Sequence, residues 1–178
     1  MWTFDNTAVS ATAAPRAGRV NLIAGLASLA AAAVLASSAA SAQSKEAGIW
    51  YDDTGKGAVQ VFPCDGKLCG RIVWLKEPLG DDGKPLYDGY NPNPNMRARP
   101  ICGLQVLGGL TRQADGSWDE GWVYDPKVGK SYNAAIEVSG KYLTLTGYLG
   151  VRMLGQSFTW TKAPASLPNC MTSKAAAN

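Results

Sequence analysis

The residues best suited to covalent chemistry in this chain are four cysteines, Cys64, Cys69, Cys102 and Cys170. In a small domain that carries an export signal, an even count reads as a disulfide framework sooner than as a set of metal ligands. Three pairings exist on paper. Cys64-Asp65-Gly66-Lys67-Leu68-Cys69 places an Asp-Gly turn between two short apolar runs, so a bridge across a hairpin is sterically open to it. Cys102 is then left with Cys170. Loop-closure entropy makes the short bridge worth about 2 kcal/mol and the long one about 4 kcal/mol. Zinc is the competing chemistry, but no second close pair follows the first and the chain has no histidine. No metal site and no cofactor are expected.

The missing histidine also removes Ser-His-Asp and Cys-His catalysis, together with any imidazole acid or base working near neutrality. Gly129-Lys130-Ser131 resembles the end of a phosphate-binding loop, yet Tyr124 occupies the position of the required first glycine. It reads as a turn and the start of a strand. No Gly-x-Ser-x-Gly elbow is present, and the adjacent carboxylates Asp52-Asp53, Asp81-Asp82 and Asp119-Glu120 fall in turn-like contexts where solvation is the default. These absences lead to the expectation that the protein is not an enzyme.

The segment from Glu77 to Pro100 is the one most suggestive of binding, because a connection this long is uncommon in a small domain unless it has a job. Prolines and the turn formers Asp88, Asn91 and Asn95 restrict its backbone, which argues for order. Arg97 and Arg99 could hold a carboxylate or phosphate, with Tyr87 and Tyr90 as a lid. The structural alternative, rated higher, is that Asp88 pairs with one of these arginines and fixes the loop. Trp74, Trp118, Trp122, Tyr124, Tyr148 and Trp160 are equally two-sided, since ligand cavities and ordinary cores use the same rings. Core packing is the default for them. Should the interior be hollow, Trp74, Tyr124 and Tyr148 join Tyr87, Asp88, Tyr90, Asn91, Arg97 and Arg99 as the candidate ligand site, for an apolar or lipid-like molecule with an acidic head group.

The elements that would position these residues are strands, because short β-branched and aromatic runs are separated by Gly, Asp, Asn and Pro. Eight are expected: Gly48 to Asp52, Ala58 to Phe62, Leu68 to Lys76, Gly103 to Leu110, Trp118 to Tyr124, Lys130 to Val138, Tyr142 to Tyr148 and Gln156 to Lys162. Alternation is clearest where Tyr132, Ala134, Ile136 and Val138 share one face against Ser131, Asn133, Ala135 and Glu137. Short turns such as Ser139-Gly140 join successive runs, which predicts an antiparallel meander. Eight strands in this order can close into an all-β barrel, with a two-sheet sandwich as the alternative.

Ahead of the strands, Arg16 and Arg19 precede an Ala- and Leu-rich run from Val20 to Ala36, and Ala40-Ser41-Ala42 ends a stretch of small residues. This is the secretory pattern, predicting a signal peptide over 1–42 cut after Ala42 and a periplasmic or secreted mature domain over 43–178. The run is short and alanine-weakened for a span, so no membrane anchor is expected in the mature form. The formal net charge is +3 and the basic residues are scattered among acids, so no nucleic-acid surface is expected.

The residues also carry a resemblance. Gly48-Ile49-Trp50 is similar to the Gly-x-Trp of lipocalins and related calycin barrels. The wider pattern includes Cys64, Leu68 to Leu75, Asp88, Asn91-Pro92, Arg97 to Pro100, Gly103-Leu104, Gly121 and Tyr124-Asp125-Pro126. With Gly129-Lys130, Tyr132, Gly147 to Gly150 and Thr159-Trp160-Thr161, it resembles the DUF2147 family of exported bacterial proteins over Gly48 to Lys162. That resemblance implies a calycin-like barrel and no defined activity. Where the family pattern ends in Arg, this chain has Lys162. In lipocalin-type barrels a basic side chain there packs over the Trp of the first strand, so Gly48, Trp50, Trp160 and Lys162 form an expected structural plug. Two roles remain open: binding a small apolar ligand, or contacting a protein or cell-wall partner of the envelope through the 77–100 loop.

Overall fold

The computed structural model describes residues 44–171, so the expected signal segment and its cut after Ala42 lie outside the described residues. Eight strands follow in order: β1 (Gly48–Tyr51), β2 (Gly57–Cys64), β3 (Lys67–Leu75), β4 (Gln105–Arg112), β5 (Trp118–Asp125), β6 (Lys130–Ser139), β7 (Tyr142–Tyr148) and β8 (Gln156–Lys162). Each pairs antiparallel with the next, and β8 returns to β1 to close a barrel. The expected strand at Gly103 begins later, at Gln105. Gly103 takes a positive φ of 85°, and the Leu104 amide donates back to the Ile101 carbonyl, so the chain turns there before it extends.

Both cysteine pairs are bridged, Cys64 to Cys69 and Cys102 to Cys170. The first spans the β2–β3 hairpin. The second ties the segment after β8 to the loop before β4, and the Cys170 amide donates to the Val73 carbonyl at 2.7 Å.

Alternation fixes which side chains enter the barrel. The β6 residues Ala134 and Ile136 are fully buried and stand opposite Gly147 and Leu145 of β7. Leu145 in turn faces Phe158 of β8, and Leu143 faces Trp160. Three strands break the period by one residue. β3 gains Val73, since Val59 faces Ile72 while Ala58 faces Trp74. β4 bends at Gly109 (φ 71°) and β5 at Glu120 (φ 61°). Such bulges switch a strand's inward face between odd and even positions.

The end of the barrel where β1 begins holds large buried side chains. Trp50, Trp118, Trp160, Leu68, Leu110 and Leu143 are buried there in one cluster. The Trp50 Nε1–H donates to the Glu46 carbonyl at 2.8 Å, and Lys162 Nζ stands 4.1 Å from the Trp50 ring centroid while donating to the Ala47 carbonyl. Burial pushes the Lys162 ammonium below its ordinary pKa, and the nearby Glu46 charge partly offsets this. Gly48 lies directly beneath that ammonium, which leaves no room for a Cβ.

Candidate functional site

The opposite end differs. Leu75, Val123 and Phe158 pack against the core yet are only partly buried, and Tyr132 is likewise half-buried. All four turn inward. Val123 faces Leu107 and Tyr132 across its two neighbours, and the Cβ direction of Gly147 points between Val123 and Tyr132 at 3.7 and 3.9 Å. A side chain that points into a closed barrel and still meets solvent reports space around it. With Gly147 and Ala134 contributing almost no bulk between them, these residues give the inner wall at this end an apolar lining, here called the cup.

The long β3–β4 connection is ordered beside that end. Its limbs pair with each other: the Asp88 amide donates to Arg99, the Ile101 amide to Leu86, and Tyr87 bridges Pro100. At its centre the Asp88 carboxylate is fully buried and accepts from Tyr124 Oη at 2.6 Å, Asn91 Nδ2 at 2.7 Å, and Arg99 Nε and Nη2 at 3.0 and 2.9 Å. The Arg99 guanidinium also lies over the Tyr124 ring, at 5.8 Å. Burial alone would raise the Asp88 pKa, but these donors and the Arg99 charge outweigh it and hold the carboxyl below its ordinary value. Burial, then the bond to Asp88, raises the Tyr124 phenol. Asp88 therefore stays ionised and Tyr124 stays protonated near neutrality. Three of the four donor atoms meet on Oδ2, and Tyr124 alone reaches Oδ1.

The sequence candidates thus separate. Asp88, Asn91, Arg99 and Tyr124 come together as a lock. Arg97 Nε donates to the Asn91 carbonyl at 2.8 Å, and the rest of that side chain is exposed, as are Tyr87 and Tyr90. Because Val123 turns inward, Tyr124 turns outward, and the loop buries it against the outer wall. Tyr148 is also outside the barrel, donating to Asp119 Oδ1 at 2.7 Å, a bond that with burial raises its pKa. Trp74 stacks edge-on against Tyr51 on the outer wall, 5.5 Å between centroids. The cup residues Leu75, Val123, Tyr132, Gly147 and Phe158 were not among the candidates. Only Tyr132 lay on a face that the alternation had marked.

Gly129 seats the loop. A Cβ there would collide with the Tyr90 carbonyl, and its φ is 66°. Gly129→Ala is expected to destabilise the protein by more than about 1 kcal/mol and to speed proteolytic cleavage within 77–100, read by a thermal melt and timed digestion.

The eight strands form a closed up-and-down antiparallel barrel. The chain belongs to the family described as uncharacterized protein conserved in bacteria (DUF2147), which matches residues 48–162. Among solved structures, protein HP1028 from the human pathogen Helicobacter pylori, described as belonging to the lipocalin family, is similar in fold. The two share 24% identity over 67% of this chain and 84% of that one, with a TM-score of 0.57. No curated protein matches the chain.

Proposed function

We propose that this barrel binds a small apolar or lipid-like molecule in the cup at its open end, and that it acts as a carrier or sensor and not as an enzyme. The observation that carries this reading is the partial exposure of inward-facing Leu75, Val123, Tyr132 and Phe158 above a floor of buried tryptophans. Apolar surface left open inside a wall of paired strands is stabilised by an apolar guest. The lipocalin-like neighbour supports the fold on which such sites are built. Two disulfides suit an oxidising compartment, which agrees with export to the periplasm or beyond. Among the described residues no helix is long and apolar enough to cross a membrane.

Native mass spectrometry of protein purified from the periplasm tests the reading. An added mass that is removed by organic extraction is expected. Protein that carries no extractable molecule, and that takes up none from a membrane lipid extract, contradicts it.

A second reading rests on the loop's outer surface. Tyr87, Tyr90, Met96 and Arg97 are exposed on a backbone held rigid from beneath, and tyrosines and arginines on rigid supports are what protein interfaces favour. Crosslinking from position 90 to an envelope protein, lost when Tyr87, Met96 and Arg97 are replaced by serine, is the outcome specific to that reading.

A further inference from the structure

On the outer wall, Glu137 of β6 stands opposite Thr144 of β7, and Thr146 of β7 stands opposite Ser157 of β8. Ala134 and Ile136 enter the barrel, so alternation turns these four side chains outward. The outer face of an antiparallel wall is ordinarily solvated, yet Thr146, and Ala135 opposite it, are buried. Their cover is the β7–β8 connection, which folds back over the strands. Gly155 lets it lie close: a Cβ there would stand 2.8 Å from the Gly147 carbonyl oxygen and 2.9 Å from Thr146 Cγ2. Arg152 pins the connection at its middle, reaching Asp119 at 3.4 Å and also Glu137.

Between this connection and the wall lies a pocket of about 470 Å³, within the roughly 300–1,000 Å³ of small-molecule sites. Its lining is mostly polar. Thr146 Oγ1 and Ser157 Oγ share a hydrogen bond of 2.9 Å, and each hydroxyl keeps further capacity. The Thr144 hydroxyl has no partner among the described residues. Only one oxygen of Glu137 meets Arg152, which leaves the other to accept. Arg152 is itself shared between two carboxylates, so it has no charge to spare for a phosphate or a carboxylate. Met153 is the apolar exception in the lining and is 93% exposed.

We propose that this outer pocket binds a neutral sugar. Sugar hydroxyls both donate and accept, so they pair with Ser and Thr hydroxyls and with a free carboxylate oxygen alike. A sugar ring also has apolar C–H faces, against which Met153 offers an adaptable thioether chain. The competing guests fit worse. An anion would meet Glu137 and Asp119 with no free cation in return, and an apolar molecule would cover the hydroxyls without pairing them. The walls are set before a ligand arrives: Tyr148 Oη donates to Asp119 Oδ1 on the same carboxylate that holds Arg152, which ties the covering connection to β5. The site lies outside the barrel and is independent of what the cup holds.

Amide NMR of the isotope-labelled, oxidised protein provides the test, with cellobiose, maltose and N,N′-diacetylchitobiose each titrated to about 100 mM so that millimolar dissociation constants are reached. At least one disaccharide is expected to shift the amides of Thr144, Thr146 and Ser157 saturably. Thr144→Val keeps a β-branched side chain of the same shape and is expected to weaken that binding roughly threefold to tenfold, with amide shifts elsewhere in the barrel unchanged. Ser157→Ala is expected to weaken it comparably. No saturable shift at these amides with any of the three overturns the inference, as does binding that both substitutions leave unchanged. Inorganic phosphate saturating the same amides at lower concentration than the sugars overturns it too.

Discussion

Asp88→Ala is expected to lower the unfolding free energy by about 2–5 kcal/mol, far more than a surface substitution. The reason lies in what it abandons. Tyr124 Oη and Asn91 Nδ2 are buried donors whose shared acceptor is this carboxylate; Asn91 Nδ2 keeps Tyr124 Oη as a second acceptor at 3.1 Å, whereas the Tyr124 hydroxyl proton is left unpaired at about 1–3 kcal/mol. Arg99 contributes less, because its side chain is partly exposed and water can replace the carboxylate. The damage begins locally: the Asp88 and Ile101 amides, which stitch the loop's limbs together, lose hydrogen-exchange protection first. Tyr124→Phe leaves Asp88 Oδ1 without its donor and takes one acceptor from Asn91 Nδ2, and is expected to cost about 1–3 kcal/mol.

The same centre sets a pH window. Asp88 has its folded pKa held below the ordinary 3.8, so its stabilisation is complete above that value and is lost as pH falls through the lowered one. Tyr124 has its pKa raised above 10.0, so its contribution is complete below that value and fades as pH climbs through the raised one. Protection of the loop amides is therefore expected to stay flat across neutrality and to fail at both extremes. A loss centred near pH 6 to 7 would show that another group governs it.

The second large effect belongs to the long disulfide. Replacing Cys102 and Cys170 together by serine opens a loop with a sequence separation of 68, and is expected to cost about 4 kcal/mol by loss of the constraint on the unfolded chain. The Cys64–Cys69 bridge closes a separation of only 5, and its removal should cost about 2 kcal/mol. The comparison by urea unfolding is informative because both pairs lie in one cooperative domain. Equal losses would place the effect in native contacts, such as the Cys170 amide on Val73, and not in chain entropy.

How far the sequence could be read depended on where its periodicity holds. On β6 the run Tyr132, Ala134, Ile136, Val138 shows the inward face without interruption, and the barrel follows from such runs and the short turns between them. A pairing of Asp88 with Arg97 or Arg99 was recognisable because an acid and two bases sit in one restrained loop, and the structure selects Arg99. Tyr124 as their third member was not, since nothing local ties it to a segment more than thirty residues earlier. The cup was hidden by bulges. Trp118 and Val123 both face inward although an odd number of positions separates them, because Glu120 inserts a left-handed residue between. Val73 does the same between Ile72 and Leu75. A period-two reading carried through either strand assigns the wrong side chains to the interior.

The central claim is that the open half of the barrel holds an apolar guest, and Gly147 offers the most direct access to it. A Cβ there meets Val123 and Tyr132 at ordinary contact distance, so the first atom of a new side chain fits and the rest of Gly147→Leu is directed into the cup. Fluorescence titration with N-phenyl-1-naphthylamine, on delipidated protein, is the measurement. The parent should bind one probe saturably, and Gly147→Leu should weaken that binding roughly tenfold or more while melting cooperatively. Saturable binding that Gly147→Leu leaves unchanged, or none in the parent, would contradict the account.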